Sequence, residues 1–62
     1  MTSRRTLIAR LAQLNEALQR QGALPLVTTA EADRLPRDNL EAMLRLTADR
    51  VVTVAKALKG MP

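Results

Sequence analysis

The sequence has no cysteine, no histidine and no aromatic residue of any kind. Without Cys or His, zinc sites of the common kinds and disulfide frameworks are excluded, as is haem ligation except through Met. No side chain has an ordinary pKa near neutrality, so a general acid or base would need a strongly displaced carboxylate or lysine. Without aromatic rings, bases cannot be stacked in the manner of single-strand binding proteins. Glycine is scarce, with only Gly22 and Gly60 present, so no phosphate-cradling loop exists. No run approaches the roughly 20 apolar residues of a membrane span. These gaps exclude most enzyme classes, and the expectation is a non-enzymatic protein without cofactor or metal.

The chain is 62 residues long and 47% hydrophobic, with a net charge of +4. It therefore accommodates a single domain, residues 1–62. A chain of this size buries only about 60% of the surface its unfolded form exposes. Self-association or a partner is the expected support where disulfides and aromatics are missing.

Leu7, Leu11, Leu14 and Leu18 are spaced 4, 3, 4, a heptad seam covering roughly 60° of a helical wheel. Ser3 or Thr2 can cap this helix at its start, and Gly22 suits the position just past its end. The first helix is placed at about 3–21. The segment is Arg-rich and poor in acids, as mitochondrial presequences are, and Arg4-Arg5 has the form of a twin-arginine pair. Arg10 interrupts the apolar run that a signal requires, so the segment reads as a structural helix. Arg4 and Arg5 sit in the first turn, where the helix dipole disfavours cations. They face either solvent, an anionic partner, or a carboxylate elsewhere in the fold.

Residues 22–36 form the connector. Pro25 pushes Leu24 toward an extended conformation. Thr28 with Glu31 matches a capping box opening a short helical turn at about 29–34, which Pro36 stops. The connector exceeds the roughly 2–8 residues usual between bundle helices, and its Leu24, Leu26, Val27 and Leu35 imply packing onto the helices or a role in binding.

The second long helix is placed at about 37–59, with Asp38 and Glu41 as a second capping box and Gly60 as the stop. Leu40, Leu44, Thr47, Val51, Val54, Leu58 and Met61 follow 4, 3, 4, 3, 4, 3. Met43, Ala48 and Ala55 widen this stripe to roughly 140°. Leu46 and Val52 lie on opposite flanks. Arg37, Glu41, Arg45 and Asp49 alternate in sign at i,i+4 on the outer face, a ladder worth a few tenths of a kcal/mol per pair.

The fold class expected is all-α: an antiparallel two-helix hairpin with a short helical turn in its connector. Leu7, Leu11, Leu14, Leu18, Leu40, Leu44, Val51, Val54 and Leu58 would form the core and oligomer surface. The first seam is narrow enough for one neighbour, whereas the second has surface for two. That surplus predicts another helix, most simply from a second copy in a homodimeric four-helix bundle. Leu26, Met43, Leu46 and Val52 are the candidate contacts for a protein partner.

Charge raises a second reading. Residues 1–22 hold Arg4, Arg5, Arg10 and Arg20 against Glu16. A helical dimer could bind structured RNA or DNA through Arg4, Arg5 and Arg10. An accessory or chaperone subunit of a larger assembly is the third class.

The stretch Leu35-Pro36-Arg37-Asp38-Asn39-Leu40-Glu41, followed by an Ala/Arg/Val-rich amphipathic helix ending Val54-Ala55-Lys56-Ala57-Leu58, resembles the long C-terminal helix of TraM-type quorum-sensing antiactivators. The likeness runs from Leu35 to the C-terminal end, opens on a common motif, and leaves the first helix unmatched. It implies a cytoplasmic two-helix protein that sequesters a LuxR-type transcription activator and blocks its DNA binding.

Overall fold

The computed structural model describes residues 2–61, and they form three helices with no strand among them: α1 (Arg4–Arg20), α2 (Thr29–Ala32) and α3 (Arg37–Lys59). The fold is all-α, and no helix among the described residues is long and apolar enough to cross a membrane.

Local chemistry explains each boundary. Ser3 is the N-cap of α1, its hydroxyl accepting from the Thr6 backbone N–H at 3.2 Å. At the other end the backbone turns left-handed at Gly22, φ +79°. Ala23 N–H then donates to the Leu18 carbonyl at 2.9 Å and Gly22 N–H to Gln19 at 3.0 Å, the paired bonds of a Schellman stop. The Thr28–Glu31 capping box is formed in both directions and starts α2.

The second expected capping box is not formed. Pro36 is the N-cap of α3 and makes no side-chain cap bond. Its carbonyl already accepts from Leu40 N–H at 2.9 Å, so the helix begins ahead of Asp38. Of the expected charge ladder on α3, one rung closes among the described residues, Arg37 to Glu41 at 3.1 Å. At the far end Gly60 keeps a right-handed backbone, so its stop does not use the conformational freedom of glycine.

The two long helices pack side by side, but they are not antiparallel. The Arg37 guanidinium donates to the Thr2 carbonyl, and Arg4 donates to the Leu35 carbonyl at 2.6 Å. These bonds join the N-terminal ends of α1 and α3. Past the C-terminal end of α1, Gln21 Nε2 donates to the Val51 carbonyl at 3.1 Å. The helices therefore run in the same direction, and the helical hairpin is a crossover one. The connector reverses the chain and carries it back along α1 before α3 begins. Asn15 Nδ2 holds that return segment through the Val27 carbonyl at 2.9 Å. The connector is too long for a tight turn, and this return is what its length serves.

The core follows from this path. Leu7, Leu11, Ala32 and Leu40 form one buried cluster, with Ile8, Val27 and Leu44 packed against it. Leu18 and Thr47 are also fully buried. The Thr47 hydroxyl is satisfied within its own helix by the Met43 carbonyl, 2.6 Å away. The expectation that α1 serves one neighbour is corrected. Its leucine seam packs with Leu40 of α3 and Ala32 of α2, while Asn15, off that seam, holds the returning connector.

Candidate protein-binding surfaces

Arg4, a candidate nucleic-acid contact, is committed within the fold. It reaches the carbonyls of Asp33 at 2.5 Å, Leu35 at 2.6 Å and Ala32 at 3.3 Å, and its Nε lies 3.8 Å from the Asp33 carboxylate. The carbonyls at the end of a four-residue helix have few intrahelical donors, and the guanidinium supplies them. This explains a cation in the first turn of α1, where the dipole works against it. Arg5 and Arg10 are exposed. They stand about 140° apart on the wheel, so they share no basic face.

The core positions are unequally covered. Leu7, Leu11, Leu18 and Leu40 are buried, whereas Leu14, Leu44, Val51 and Val54 are half-buried. Leu58 is 45% exposed. Gln21, just beyond the end of α1, is level with Val51. From there α3 continues alone to Lys59, about 12 Å at 1.5 Å per residue. Leu58 thus lies outside the chain's own core, because α1 stops before reaching it. The surplus of apolar surface expected on the second helix is present, much of it in this free end.

The four partner-contact candidates do not form one patch. Leu46 and Val52 are each 53% exposed, and about 120° of wheel separates them. Met43 is half-buried, about 60° from Leu46 on the same flank. Leu26 is exposed on the connector, while its neighbour Val27 turns into the core.

A shallow groove of about 510 Å³ lies between the outer face of α1 and the connector, lined in part by Ala12, Asn15, Gln19, Leu24, Pro25 and Thr28. Leu24 stands on its rim, 85% exposed, though it is not among the four candidate contacts. Asn15, Gln21 and Ala32 are not singled out by the sequence either. Asn15 and Gln21 carry a faint signal, as amides bordering a leucine seam. Ala32 carries none, since one alanine in a four-residue helix does not announce its burial. Among the described residues no group of three or more acidic, His or Cys side chains is placed to hold a metal ion.

No protein-family model, curated protein or solved structure matches this chain.

Proposed function

We propose that the chain is a small non-enzymatic regulatory protein that acts in the cytoplasm by binding a helical segment of another protein. The observation that supports this is the balance of apolar surface. Among the described residues five hydrophobic ones are buried, while Leu24, Leu26, Leu46, Val52, Leu58 and Met61 are exposed. Burying one Leu or Val is worth about 1.5–3 kcal/mol, so this surface favours association. In the narrower reading the partner is a LuxR-type transcription activator, held away from its DNA. That reading rests on the likeness of Leu35–Glu41 and the helix that follows.

The test is a DNA-release assay. The protein is added to a LuxR-type activator bound to its operator, and free DNA is measured at two salt concentrations. The expected result is release that changes little with salt and falls roughly tenfold or more for Leu46→Ala or Val52→Ala. Direct binding to DNA or RNA that weakens steeply with salt and is lost in an Arg5→Ala/Arg10→Ala variant replaces the protein-binding reading. Arg4 is unsuited to that comparison, because its side chain holds the connector.

A further inference from the structure

No further inference is drawn: the strongest candidate, the apolar stripe of Val54 and Leu58 on the free end of α3 past the reach of α1, is an unpartnered face, and nothing in the structure shows what covers it.

Discussion

Arg4 Nη2 lies 2.6 Å from the carbonyl oxygen of Leu35, thirty-one residues further along the chain. One side chain in the first turn of α1 thus holds the last turn of the connector at the entry to α3. Both long helices start at this point, and the direction of the whole fold is set there.

Direction is the first thing to test. Spin labels at Arg5 and Asp38 should be close in a dilute monomer, because each stands in the first turn of its helix. Labels at Arg5 and Lys59 should be separated by about 30 Å or more, the length of α3 at 1.5 Å per residue. An antiparallel pair would give the reverse order of distances, which double electron–electron resonance reads directly. The absence of native cysteine makes the labelling clean.

Arg4→Ala should destabilise the fold by about 1–3 kcal/mol, because it takes away the donor that the Asp33 and Leu35 carbonyls share. Arg4→Lys should recover only part of this, since the guanidinium meets the carbonyls with Nη2 and the Asp33 carboxylate with Nε at once, and an ammonium has one nitrogen to offer. Urea melts followed by circular dichroism at one protein concentration measure both. Equal stability of Arg4→Ala and the parent chain would show the contact to be unimportant.

Much of this architecture was legible in the sequence, and the reasons differ by residue. Leu7, Leu11 and Leu18 were legible because a heptad seam reports which positions face a neighbour. The Thr28–Glu31 box and the Gly22 stop were legible because each is a local bond pattern with few alternative uses. Direction was not. A heptad stripe carries no arrow, and a connector this long permits a loose return or a crossover. What settles the matter is Asn15, Arg4 and Gln21 bonding to distant backbone carbonyls, and no spacing rule encodes such bonds. The exposed apolar surfaces were half-legible. Leu46 and Val52 are marked by lying off the stripe, whereas Leu24 depends on where the connector runs.

Gly22→Ala should cost about 1 kcal/mol. Nothing lies within 4 Å of the added methyl, so the cost is the left-handed backbone alone. Gly60→Ala should cost less, since its backbone is already right-handed. Thermal melts of the two variants should differ in this order, and a larger loss at Gly60 would contradict it.

Leu11→Ala and Leu46→Ala should separate stability from binding. Leu11 is fully buried, and its truncation should cost about 2–5 kcal/mol, enough to unfold a chain this small. Leu46 is half exposed on an outer flank of α3, so the same change there should stay within about 0.5 kcal/mol. Helix content of the two purified variants at room temperature is the readout. Comparable unfolding of both would mean that Leu46 carries structural weight.

The crossover also governs how the chain can fold. Thr2 and Arg37 are 35 residues apart and Gln21 and Val51 are 30 apart, so the pairing of α1 with α3 begins and ends on loops of nearly equal size. An antiparallel hairpin can zip outward from its turn, each contact shortening the loop for the next. Here no α1–α3 contact is cheap, and the first must close a loop of some thirty residues before the others gain anything. The landing of the connector on α1 is the step with the smallest closure, since Asn15 and Val27 are only 12 residues apart. Folding is then a sequence of docking the strap and afterwards laying α3 along the ridge that remains, at a rate below that of a hairpin of the same length.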